Sequence, residues 1–174
     1  MLNKINDDVL GLFFLNPTTS FHVRAVAKKQ HISTPTASYK LKQLAKTGLL
    51  IKEAKANLLL FRANLENPSF IVRKRIYNLR QLYSSGIVEA LNAHYAQPEA
   101  VVLFGSYARG EDIERSDIDI AVTASIPRSV ALGQYEKLLH RKIQLLELKP
   151  SNRTPELINS LANGIVLSGY LKVT

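Results

Sequence analysis

The sequence predicts an α+β chain in three blocks: a helix-rich block over 1–65, a helical connector over 66–97 and a strand–helix alternation over 98–174. Three observations carry this reading. Helix-period apolar spacing, punctuated by Pro17, Pro35 and Gly48, fills the first 48 residues. Two short apolar runs then flank a polar tip, and a long amphipathic stretch follows. From residue 98 onward, apolar strand-length runs alternate with helical segments, the pattern of a small sheet layered with helices on one face.

In order, the first helix is expected from about Asn6 to Leu15, stopped by Asn16-Pro17. A short extended piece at Phe21-His22-Val23 leads into the helix VRAVAKKQ, and His31-Ile32 makes the turn. Thr34 is expected to cap the third helix, with Pro35 in its first turn and Ala37, Leu41, Leu44 and Ala45 on one stripe. Leu49–Ile51 and Leu58–Phe61 read as strands joined by the tip EAKAN. In the connector, Val72, Ile76, Leu79 and Tyr83 recur at helical spacing, broken by Gly86 and continued by Ile87, Leu91 and Tyr95. Such a stripe suits packing or dimerisation. In the last block VVLF, DIDIAV, KIQLLEL and IVLSGYLKV read as strands, with helices at Leu132–His140 and Pro155–Ala162.

Composition narrows the function classes. The chain has 174 residues, 46% hydrophobic and 21% charged, ordinary for a globular protein. No apolar run approaches the roughly 20 residues of a membrane span, and Asp7 and Asp8 precede an N-terminal apolar patch without a cleavage site, so a cytoplasmic protein with no membrane partner is expected. The absence of cysteine removes disulfides and thiolate metal sites, and the four histidines have no ligand-like spacing. Charge is uneven: residues 1–64 carry ten Lys/Arg against three Asp/Glu, whereas residues 100–174 carry nine against eight. A basic N-terminal half beside a nearly neutral one points that half toward a polyanion.

The N-terminal order, three helices and then a hairpin, resembles the winged helix-turn-helix of ArsR- and MarR-like repressors over ISTPTASYKLKQLAKTGLLIKEAKANLLLFRAN. On that likeness the third helix presents Thr36, Ser38, Tyr39, Lys42, Gln43 and Lys46 to double-stranded DNA, and Lys52 and Lys55 form the wing on flanking phosphates. The resemblance also implies a homodimer.

The stretch FGSYARGEDIERSDIDI holds the sharper chemistry. Residues i and i+2 of a strand share a face, so Asp117 and Asp119 project together while Ile118 and Ile120 pack the other side. Two carboxylates that close repel, and a divalent cation relieves the repulsion; Mg²⁺ favours carboxylates together with substrate phosphates. Gly105 permits close approach of the backbone to a ligand, and the amides and hydroxyl near Ser106 can hold phosphate oxygens. Arg109 either adds a charged donor or pairs with Glu111 or Asp112.

Gly-Ser, ten residues and Asp-x-Asp is similar to the signature of the DNA polymerase β-like nucleotidyltransferases, and residues 98–174 resemble their minimal members. That likeness implies a nucleoside triphosphate, Mg²⁺ or Mn²⁺ held by Asp117 and Asp119, and a nucleotide-binding set of Gly105, Ser106, Arg109 and Ser116. It also implies a third carboxylate on a later strand, where this chain has Gln144. Glu147 lies three residues on, an odd offset that points it to the opposite face, and Glu136 belongs to the preceding helix. Three readings stay open: a transferase acting on a nucleic-acid or protein acceptor, a DNA-binding regulator whose degenerate domain keeps only the nucleotide or a partner, and an antitoxin-like protein that modifies a partner toxin.

Overall fold

The computed structural model describes residues 8–55, 58–123, 130–149 and 154–171. Two compact units divide the chain, Met1–Lys74 and Arg75–Thr174. The first contains α1 (Asp8–Leu15), β1 (Phe21–His22), α2 (Val23–Lys29), α3 (Thr34–Lys46), β2 (Leu50–Lys55) and β3 (Leu58–Ala63). Residues 6 and 7, placed in the first helix by sequence, lie outside the described residues.

Burial explains these elements. Val9, Leu10, Phe13 and Phe14 of α1 are buried, and the Phe13 ring meets Phe21 edge-on at 5.5 Å. The cap of α3 falls one residue earlier than expected: the Ser33 hydroxyl accepts from the Thr36 amide at 3.2 Å, and Thr34 is the first helical residue. Ala37 and Leu41 of the expected stripe are fully buried, while Leu44 and Ala45 are half-buried. The three strands pair antiparallel in the order β1–β3–β2. Both hairpin strands outrun the expectation, reaching the pair Lys55 and Leu58, so Glu53, Ala54 and Lys55 belong to β2 and not to the tip. Residues 56 and 57 lie outside the described residues. Cross-strand pairing drives this extension, and a 2.6 Å ion pair between Arg62 and Glu53 adds to it.

The connector contains α4 (Pro68–Ser84) and α5 (Ile87–His94). Here the sequence pattern misleads. Val72 and Ile76 are 56% and 59% exposed, whereas Phe70, Asn78 and Leu82 are buried. The buried row starts two residues from the apolar one, which is about 200° around the helix. A polar member of that row explains the switch: Asn78 is satisfied inside, donating to the Tyr107 carbonyl and the Asp112 carboxylate. Periodicity of apolar residues could not register that choice. Ile87 and Leu91 of α5, and Tyr95 at its C-cap, are buried.

The second unit continues with β4 (Ala100–Phe104), α6 (Gly105–Arg109), β5 (Ile118–Thr123), α7 (Gly133–Leu139), β6 (Ile143–Leu148), α8 (Pro155–Ala162) and β7 (Ile165–Gly169). Its sheet order is β6–β5–β4–β7, with β4 antiparallel to both β5 and β7, and β5 parallel to β6. Helices cover both faces and not one, a correction to the layered expectation. Val101, Leu103, Ile118, Ile120 and Val122 pack with Ile87, Leu91 and Leu139 on one side. Ala100, Val102 and Ala121 pack with Leu157 and Leu161 of α8 on the other. Residues alternate between the two clusters along β4 and β5 as the strand period requires. The last strand ends at Gly169, sooner than IVLSGYLKV suggested.

Candidate active site

β4 is a run of buried aliphatic residues that stops at Phe104, and α6 begins at once with Gly105 at φ +72°. Only glycine adopts that backbone cheaply, and a Cβ there would also collide with the Asp119 carboxylate. The antiparallel register sets Phe104 opposite Asp119, so the Gly105–Ser106 turn lies against the acid. The two halves of the motif, far apart along the chain, therefore touch.

Ile118 and Ile120 are buried in the larger cluster, and Asp119 shares the opposite face with Ala121. Asp117 stands immediately before β5, one residue outside the strand in which the sequence placed it. Burial, and then the charge of Asp117, hold the Asp119 carboxyl above the ordinary carboxylate range. A bound cation relieves the repulsion in such a pair.

Of the two third-ligand positions, Gln144 adjoins the pair and Glu147 does not. Gln144 pairs with Asp119 in the parallel register and donates from Nε2 to Asp117 Oδ2 at 2.9 Å. Glu147 accepts from the Tyr95 hydroxyl at 2.7 Å, on the side of the sheet covered by α5. Burial, then Glu147, push the Tyr95 phenol up. Glu136 accepts from the Ile143 amide at 3.0 Å and lies 3.5 Å from Lys142. No group of three His, Cys, Asp or Glu suited to a metal occurs among the described residues. The donors Asp117, Asp119 and the Gln144 amide suit one hard cation completed by substrate phosphates.

The remaining predicted nucleotide contacts divide. Ser106 is half-buried in the first turn of α6, where helix amides have no partner four residues back. Arg109 is turned to Glu111 in an exposed 2.7 Å pair, one of the two outcomes its position allowed. Ser116 accepts from the Ile113 amide at 3.0 Å and shapes the turn that delivers Asp117.

Sequence reasoning missed two features. Asp112 and Arg141, both buried, lie 3.7 Å apart, and Asn78 completes a three-residue network behind the 110–117 loop. Burial, and then Asp112, push the Tyr107 phenol beside it up. The second feature is a cleft of about 490 Å³ next to Asp117, lined by Arg115, Lys137, His140 and Lys142 among others. Clustering of Arg, Lys and His at 137–142 was its only signal in the sequence.

In the first unit Thr36, Tyr39, Lys42, Gln43 and Lys46 of α3 are exposed and Ser38 is half-buried. Thr36 shares a 2.7 Å hydrogen bond with Ser33 in the cap. Lys52 and Lys55 are exposed but stand in β2, opposite Phe61 and Leu58, not at the hairpin tip.

Residues 86–170, which hold this sheet and its paired aspartates, match the family described as Polymerase beta, Nucleotidyltransferase. A Methanocaldococcus jannaschii protein named as a protein adenylyltransferase is 41% identical over 51 residues, 29% of this chain. Those residues span about half, 51%, of that relative's length. No helix among the described residues is long and apolar enough to cross a membrane.

Proposed function

We propose that the Arg75–Thr174 unit binds a nucleoside triphosphate at the Gly105–Ser106 turn and transfers its nucleoside monophosphate to an acceptor hydroxyl. One observation carries this: Gly105 is packed so closely on the Asp119 carboxylate that phosphate bound at the turn lies beside the paired acids. In the reaction, the acceptor oxygen bonds to the α-phosphorus and the α–β bridging P–O bond breaks. Pyrophosphate leaves with the electron pair, and the hydroxyl proton passes to water. Asp117 and Asp119 would hold Mg²⁺, which supplies charge neutralisation at the phosphates. The backbone of the turn and the Ser106 hydroxyl orient the triphosphate, and Gln144 orients Asp117.

A second reading is favoured by Gln144 itself. An amide in contact with Asp117 adds no negative charge and accepts no proton, so the pocket suits binding better than turnover. Here the domain is a nucleotide-responsive part of a DNA-binding regulator. The α1–β1–α2–α3–β2–β3 order, the exposed Lys42, Gln43 and Lys46 and the basic N-terminal half support a winged helix on duplex DNA. The name of the archaeal relative keeps a protein acceptor in view.

Incubation with α-labelled triphosphates and Mg²⁺ separates the readings. Label transferred by the intact chain and lost in Asp117→Asn supports the transferase. Tight nucleotide binding without transfer to any acceptor supports the regulator.

A further inference from the structure

We propose that α3 reads A·T base pairs in the major groove of duplex DNA, with Tyr39 and Gln43 as the residues that set the preference. This rests on the winged-helix reading of the first unit and adds the bases that it selects. From Val9 to Lys52 the chain has seven Lys or Arg and no Asp or Glu, so this segment suits a polyanion. The major groove of B-DNA admits an α-helix, whereas that of A-form RNA is too narrow for side chains to read.

The outer face of α3 is ordered. Tyr39 is two residues from Ala37 and two from Leu41, both fully buried, which puts it about 200° from each and at the centre of the exposed face. At 66% it is the most exposed large apolar or aromatic side chain among the described residues. Thr36 and Gln43 flank it on one side, and Lys42 and Lys46 on the other, all exposed.

The two sides differ in chemistry. The Gln43 carboxamide has no partner among the described residues, and its donor and acceptor match N7 and the N6 amino group of adenine. The Thr36 hydroxyl is held by Ser33 at 2.7 Å, which leaves its methyl for the methyl of thymine. The Tyr39 ring offers a second apolar contact of that kind. Arginine makes the commonest specific contact to guanine, and α3 has none. Lys42 and Lys46, one turn apart and without an ion-pair partner among the described residues, suit the phosphates along the groove wall. A protein-docking face needs a cluster of buried anchors, whereas Tyr39 is the one large apolar side chain exposed on α3.

The test selects sites for the full chain from a random-sequence DNA duplex pool at one fixed salt concentration. Affinity is then measured for the selected site and for an unselected duplex. Selected sites should share an A·T run. Gln43→Ala and Tyr39→Ala should each lower affinity for that site about tenfold, leaving the unselected duplex and its salt slope unchanged. Tyr39→Phe should keep the preference, because the ring and not the hydroxyl makes the contact. Lys42→Ala/Lys46→Ala should weaken both duplexes alike. Sites centred on G·C pairs, sites with no shared sequence, or A·T sites indifferent to Gln43→Ala and Tyr39→Ala overturn the proposal and leave the winged helix on DNA. Binding to no duplex overturns both.

Discussion

Asp119 is disfavoured as an anion from two directions, by burial and by Asp117. Its raised folded pKa means that the native state binds more protons than the unfolded chain. Without a cation, stability therefore falls as pH climbs from the ordinary 3.8 through the raised folded value, and it is not penalised below that window. Asp119→Asn should flatten this fall, and adding Mg²⁺ with nucleotide should do the same in wild type; thermal melts across pH read both. A fall of equal slope in Asp119→Asn would place the titration elsewhere. Gly105→Ala tests the contact from the other side. A Cβ at φ +72° should cost about 1–2 kcal/mol in the backbone alone and should lower NTP affinity at least tenfold by displacing Asp119. Retained affinity would separate the turn from the nucleotide. The i, i+2 spacing made the aspartate pair legible in the sequence, and the Gly-Ser spacing marked its partner. The bond from Gln144 to Asp117 was not legible, because it depends on the parallel pairing of β5 with β6 across a sequence separation of 27.

At the scale of elements, α4 shows where apolar periodicity stops being informative. Its Val72 and Ile76 face out while Asn78 faces in, because Asn78 has buried partners in Tyr107 and Asp112 that no local pattern announces. The hairpin and the strands of the last block were readable as apolar runs between turn residues, whereas the α3 cap lies at Ser33, one residue before the expected Thr34. Helix placement on both sheet faces was not readable, since the short strands 100–104 and 118–123 read as apolar runs whichever face each helix covers. The Asn78–Asp112–Arg141 network holds the loop that ends in Asp117. Asp112→Ala strands a buried guanidinium and should destabilise the unit by about 3 kcal/mol, measurable by urea unfolding. Exposed Arg109 and Glu111 form the contrast: Arg109→Ala should change stability by less than about 1 kcal/mol. A large loss there, or none in Asp112→Ala, would reverse the ranking of the two ion pairs.

Across the whole molecule, charge and chemistry are segregated. The basic surplus lies in residues 1–64 and the paired acids in the C-terminal unit, so each unit has its own experiment. Lys42→Ala/Lys46→Ala should weaken duplex DNA binding and reduce the slope of log affinity against log salt by about 2, leaving nucleotide binding intact. An unaltered slope would take α3 off the DNA. The central claim concerns the other unit, and the most direct measurement is label transfer from α-labelled nucleoside triphosphates with Mg²⁺ or Mn²⁺. Oligonucleotides, the protein itself and host lysate serve as acceptors, with Asp117→Asn/Asp119→Asn as the control. Label is expected on an acceptor with the intact aspartates, with at least a hundredfold loss in the double variant. Equal labelling by both proteins, or none at all from a chain that binds no nucleotide, would contradict it.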